Sequence, residues 1–238
     1  MFISEPKAEV AVNVGLVFDG TLSPAPLKKL KAFGKDVVDG FEVSDEGARF
    51  SLMSFGSQPS LEVTFREELG AEKLKEKMDG MDGQFGVARI DKALEDAAKT
   101  MFSDENLGRR SSFPKVLVLF TTDGAQSNEK DLDEAVENLK KEGVKAMVVI
   151  VGDGLKDEVK KIAPKEEDVF RLDDFDDLPE TAGPLVDRLL EKVEGKTGFA
   201  CFQCMKLVAQ FLYEMHSASQ ERQTLFLRAR AFFAVFLT

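Results

Sequence analysis

Four short apolar runs, separated by turns and helical patterns, constrain this chain more than any other feature. They cover Val12 to Phe18, Phe50 to Phe55, Val116 to Thr121 and Ala146 to Val151, and are mostly rich in Val, Leu or Phe with Gly, Asp or Ser at their ends. Runs so short and so continuously apolar predict strands buried on both faces. Leu61, Val63 and Phe65 instead alternate with Glu62, Thr64 and Arg66. That period of two predicts a half-exposed strand, and the preceding "GSQP" turn makes it the second arm of a hairpin at a sheet edge.

Four stretches between and after the runs carry apolar residues at helical spacing. They are Leu27, Leu30, Phe33 and Val37; then Ile90, Ala93, Leu94, Ala97, Ala98 and Met101; then Leu132, Ala135, Val136 and Leu139; and last Leu185, Val186, Leu189, Leu190 and Val193. Buried strands alternating with helices of this length require parallel strands joined by helical crossovers. The expected fold is therefore α/β: a Rossmann-like, doubly wound, mostly parallel sheet with one antiparallel edge strand and helices on both faces. Ligands of such sheets bind beyond the carboxyl ends of the strands, where strand order reverses. Asp19 and Asp123 each follow a buried strand directly. If those strands are neighbours, the two carboxylates face one crevice.

With 238 residues and 43% hydrophobic content, the chain has material for one sizeable core and a tail. The expected divisions are a lead over 1–11, a domain over 12–194 and a C-terminal tail over 195–238. The formal net charge is −11, and no Lys or Arg cluster occurs before Gly195, which argues against a nucleic-acid partner. From Gly195 onward five basic residues face two acidic ones, so the acidity belongs to the domain and the tail is mildly basic. Together with its Phe-rich ending and poor periodicity, this marks the tail as an ill-ordered segment or a product of faulty gene prediction. No apolar run approaches the about 20 residues of a membrane-spanning helix. The opening "MFISEPKAEV" lacks the basic start, apolar stretch and cleavage site of a secretory signal, so the sequence is expected to be either cytosolic or part of a longer product. Cys201 and Cys204 form a lone CxxC without a second pair, and His216 is the sole histidine. Neither a tetrahedral zinc site nor Ser-His or Cys-His catalysis in the domain has enough residues.

The stretch "VFDGTLS", Val17 to Ser23, carries the chemistry and reads in two ways. It resembles the Asp-x-Asp-Gly-Thr of haloacid dehalogenase-type phosphatases, and "GDGLKD" resembles that family's magnesium motif. Val17 stands where the nucleophilic aspartate belongs, and a valine cannot carry a phosphoryl group. The other reading takes Asp19, Thr21 and Ser23 as oxygen side chains at alternate positions of a loop after a strand. A hard cation such as Mg²⁺ takes about six oxygen ligands and readily keeps waters among them. Few anionic ligands leave it electrophilic enough to accept a partner's carboxylate. A plain strand-to-turn exit also accounts for Asp19-Gly20 and for Asp123-Gly124.

Six pieces in order resemble the von Willebrand factor type A domain: "VGLVFDGTLS", "GARFSLMSFGS", "ARIDKALEDA", "VLVLFTTDG", "VVIVGDG" and "VFRLDDFDDLPE". By the order of elements the resemblance runs from about Val12 to Val193, and the last piece, with its helix to Val193, is most like matrix members such as matrilins and type VI collagen. The resemblance implies a non-catalytic adhesion module of an extracellular matrix protein, with a cytoplasmic assembly module as the alternative. It implies a metal-ion-dependent adhesion site holding Mg²⁺ or Mn²⁺ through Asp19, Thr21, Ser23 and Asp123, and a protein partner presenting a carboxylate, such as collagen or another matrix protein. The family's second-loop threonine falls on Ala88, which offers no oxygen. A weakened or lost metal site is the expected consequence. "RLDDFDDLPE" lacks the spacing of a calcium loop and reads as a solvated helix start with an Asp N-cap.

Overall fold

A computed structural model describes residues 7–193. The expectations for the tail, Cys201, Cys204 and His216 lie outside the described residues. Among the described residues six strands form one sheet: β1 (Val12–Asp19), β2 (Ala48–Phe55), β3 (Pro59–Val63), β4 (Lys115–Thr122), β5 (Val144–Val151) and β6 (Val169–Leu172). Their order is β3-β2-β1-β4-β5-β6. Every pairing is parallel except β2 with β3, which form the expected edge hairpin. β1 lies at the centre with β2 on one side and β4 on the other, so strand order reverses at its carboxyl end.

The helices are α1 (Pro24–Asp39), α2 (Ala71–Gly80), α3 (Ile90–Asp96), the single turn α4 (Asp104–Leu107), α5 (Glu129–Lys141), α6 (Lys156–Ile162) and α7 over 178–193. A π-helical turn, Ala97–Met101, continues α3. Period-two alternation divides the strand side chains between two layers. Val17, Leu119, Val148 and Ile150 pack in one cluster with Leu94 of α3, Leu132 and Leu139 of α5, and Val159 of α6. On the other face Phe18 and Phe120 stack at 4.8 Å, and Phe33 of α1 meets Phe120 edge-on at 5.6 Å. Each such fully buried ring contributes roughly 1.5–3 kcal/mol by leaving water.

Both faces being covered, every residue of β1 and β2 is buried. α7 is held by a buried carboxylate: Asp168, 2% exposed, accepts from Arg188 at 2.8 Å and Lys192 at 2.6 Å. The acidic run before α7 forms a 3₁₀ turn, Phe175–Asp177, with Asp174 as its N-cap, as the sequence suggested. α2, α4, α6 and β6 are additional to the elements expected from sequence.

The amino ends of the strands are tied together by one buried cation that the sequence did not single out. Arg110, 2% exposed, donates to Asn13 Oδ1 at 3.1 Å and to the carbonyls of Asp45, Val12 and Gly47 at 2.5, 3.2 and 2.7 Å. Asn13 Nδ2 donates back to the Arg110 carbonyl at 2.9 Å, and the guanidinium lies 4.3 Å from the Phe113 ring centroid. Burial, with a smaller effect from the nearby Arg49 charge, pushes its pKa down to about 10, so it stays charged at neutral pH. Arg110→Met removes every one of these donors while keeping the stem volume. It is expected to cost about 3 kcal/mol or more, read as a lower urea midpoint at unchanged slope. A loss below about 1 kcal/mol would show that the strand starts are held by packing alone.

Candidate functional site

Because β1 and β4 are paired from Asn13 with Lys115 to Phe18 with Phe120, Asp19 and Asp123 leave adjacent strands at the same end of the sheet. That is the crevice expected at a reversal of strand order. Asp19 is fully buried. Its Oδ1 accepts from the Thr21 N–H at 3.0 Å and the Thr21 hydroxyl at 2.7 Å. Its Oδ2 accepts from the Thr122 hydroxyl at 3.4 Å.

Ser23 is exposed, at the N-cap of α1, and its hydroxyl makes no capping hydrogen bond. Asp123 is exposed and donates its N–H to the Val151 carbonyl at 3.2 Å. A Cβ on Gly152 or on Gly154 would lie 2.7 Å from Asp123 side-chain atoms, and Gly152 has φ +106°. Only glycine combines that backbone with that closeness. The glycines of "GDGLKD" thus make room for Asp123.

Four loops are knitted around this crevice by main-chain hydrogen bonds. Gln84 N–H donates to Gly20 O at 2.7 Å, Ser57 N–H to Phe85 O at 3.1 Å, Arg89 N–H to Gly56 O at 2.9 Å and Gln126 N–H to Ala88 O at 2.8 Å. Gln84 Nε2 also donates to Ser54 Oγ at 2.9 Å, and Ser54 Oγ donates to Glu62 at 2.7 Å. A Cβ on Gly20 would fall 2.5 Å from Gln84 Cγ, so the loops meet this closely only because residue 20 is glycine. Arg89 bonds Asp91, which also accepts from Asn128 N–H at 3.2 Å. Burial pushes the Asp91 carboxyl up, but the hydrogen bonds from Arg89, Asn128 and Lys92 outweigh it and hold it below the usual carboxylate range.

The chemistry on offer is a carboxylate flanked by hydroxyls that donate to it and keep their own lone pairs outward-capable. An all-oxygen donor set of this kind suits a hard divalent cation with some waters retained. Asp19, Thr21, Ser23 and Asp123 fit that requirement in atom type and in end of sheet. Ala88 does not contribute: it is 2% exposed and packs as a methyl in the core beneath the loop. Thr122 and Gln84 escaped the sequence reading, and Gly152 entered it only within a phosphatase-like magnesium motif, whereas the structure sets it against Asp123. Thr122 becomes visible only once the pairing of β1 with β4 is known.

A family model described as the von Willebrand factor type A domain matches residues 13–183. The chain belongs to this family. Matrilin-2 of Mus musculus is 26% identical over 196 residues, covering 80% of this chain and 20% of that protein. The collagen alpha-5(VI) chain of Homo sapiens is 26% identical over 169 residues, covering 70% of this chain and 6% of that one. The chain thus spans a fifth or less of these two relatives. Proximal thread matrix protein 1 from the mussel byssus superposes with a TM-score of 0.71 at 21% identity, over 78% of this chain and 49% of that one, a likeness of fold. A structure of the same protein "with zinc occupied MIDAS motif" superposes with a TM-score of 0.68 at 26% identity, over 77% of this chain and 46% of that one. Matrix relatives, as the sequence suggested, are therefore the company this type A domain keeps.

Burial raises the Asp19 carboxyl above its ordinary pKa, and the Thr21 and Thr122 hydrogen bonds only oppose this. The folded protein therefore binds that proton more tightly than the unfolded chain does. The resulting stability is fully present below the unfolded pKa and is lost as pH rises through the folded one. In chelator at neutral pH, Asp19→Asn is expected to melt above the parent, since an amide oxygen can still accept from Thr21. The gap should close as pH falls through the folded pKa of Asp19. An Asn variant that melts lower at neutral pH would show that the ionised carboxylate stabilises the metal-free fold.

Proposed function

We propose that this type A domain is a protein-binding module of an extracellular matrix protein, gripping a carboxylate of its partner through Mg²⁺ or Mn²⁺. The buried Asp19 carboxylate, wrapped by hydroxyls at the β1–β4 crevice, is the observation that carries the reading. Asp19, Thr21, Ser23 and Asp123 would hold the ion. When bound, the ion supplies the positive charge that a carboxylate ligand meets. The chain's own contribution is to orient oxygens and limit the negative charge around the ion. Family membership supports a binding module without catalysis, and the matrilin and collagen VI relatives support the matrix setting. Among the described residues no helix is long and apolar enough to cross a membrane.

The rim of the crevice favours a partner with an apolar socket beside its carboxylate. Phe85 is 90% exposed and Val87 45%, on the loop whose main chain is bonded to Gly20, Ser57 and Gln126. A ring held in water on an anchored loop is available to a partner without reordering the backbone. Collagen or another matrix protein are the partner classes to test first.

Melting of the full chain in EDTA, Mg²⁺ and Mn²⁺ tests the metal. At about 100-fold the Kd a bound ion adds about 2.7 kcal/mol, a rise of roughly 5 °C or more for a domain of this size. Asp19→Ala should abolish it. An equal melting temperature in all three solutions would overturn the metal-dependent reading and leave metal-independent surfaces.

A further inference from the structure

We infer that Thr122 supplies directly to the cation the oxygen that Ala88 cannot, so that β4 contributes a hydroxyl ligand beside Asp19. The inference rests on the proposed metal-dependent function. Three observations carry it. Thr122 Oγ1 already lies 3.4 Å from Asp19 Oδ2, on the opposite carboxylate oxygen from the Thr21 hydroxyl at 2.7 Å. Both hydroxyls donate their single hydrogen to Asp19, which leaves the lone pairs of each free to face a cation. Thr122 is half-buried at the end of β4 and directly precedes Asp123, so the strand that delivers the second carboxylate delivers this hydroxyl with it.

The count of ligands agrees. Asp19, Thr21, Ser23 and Asp123 leave a hard ion short of the about six oxygens it requires once one place is kept for the partner. Thr122 reduces the number of waters that must complete the shell. It is a neutral ligand, so it does so without lowering the electrophilicity that a partner carboxylate needs.

The test separates direct ligation from the hydrogen bond to Asp19. Calorimetric titration of the full chain with MnCl₂ is expected to show affinity lost at least about ten-fold in Thr122→Val and largely kept in Thr122→Ser. A hydroxyl that merely positioned Asp19 would behave the same way, so a second measurement uses a soft ligand. In a Cys201→Ser/Cys204→Ser background, Thr122→Cys should bind Cd²⁺ with an ultraviolet thiolate-to-cadmium absorption. That band should be missing from the background protein and from the added Asp19→Ala variant. Undiminished Mn²⁺ affinity in Thr122→Val, or no cadmium band in Thr122→Cys, overturns this inference while the metal site itself stands. Failure of the unmutated chain to bind Mn²⁺ at all overturns both.

Discussion

Everything at the candidate site follows from the position of β1, which is hydrogen-bonded along both edges and buried on both faces. A strand so enclosed has one exit, its carboxyl end, where the chains that follow β1 and β4 depart. The buried Asp19 stands at that exit, and its neighbours on either side are already specified by pairing. At the opposite end of the same strand, Arg110 satisfies the carbonyls of Val12 and Gly47 and the side chain of Asn13. One end of β1 therefore holds a charge with many fixed partners. The other holds a charge whose partners are two hydroxyls and one N–H.

The central strands were legible because burial on both faces writes itself as an unbroken apolar run; of the alternating set Leu61, Val63 and Phe65, the first two lie on β3, whereas Phe65 is buried in the 3₁₀ turn Phe65–Glu67 that follows it. β6 carries only four residues, none fully buried, so neither signature develops. α2 buries Leu74 and Met78 and α6 buries Val159 and Ile162, two residues each, too few to establish a period. α3, α5 and α7 bury four or more and could be recognised. Arg110 lies in a 3₁₀ turn within "GRRSS", which in sequence looks like a solvated loop. Its burial depends on Asp45 and Gly47, over sixty positions away, and no local pattern encodes that.

Within the site, the same distinction applies. Asp19 and Thr21 are two residues apart, and their hydrogen bonds are local to one turn. Spacing was enough to pair them. Thr122 reaches Asp19 across 103 positions, through the pairing of β1 with β4, and so is a property of the sheet. Gly152 and Gly154 likewise acquire meaning only when β5 is placed beside β4 and Asp123 is seen to fill the space a Cβ would take.

Ala88 shows how little the fold itself demands of a metal ligand. Its loop is held by the main chain, through the Ala88 carbonyl and the N–H groups of Gln84 and Arg89, and none of these bonds uses a side chain at 88. A hydroxyl can therefore be missing there while the loop keeps its place. Asp19 is different, because an ionised carboxylate with no solvent exposure opposes folding and the hydrogen bonds around it oppose that cost without cancelling it. A neutral amide could accept from Thr21 and organise the same turn. What an amide cannot do is balance a cation, and under the proposed function that is the use of a charge buried at the carboxyl end of β1.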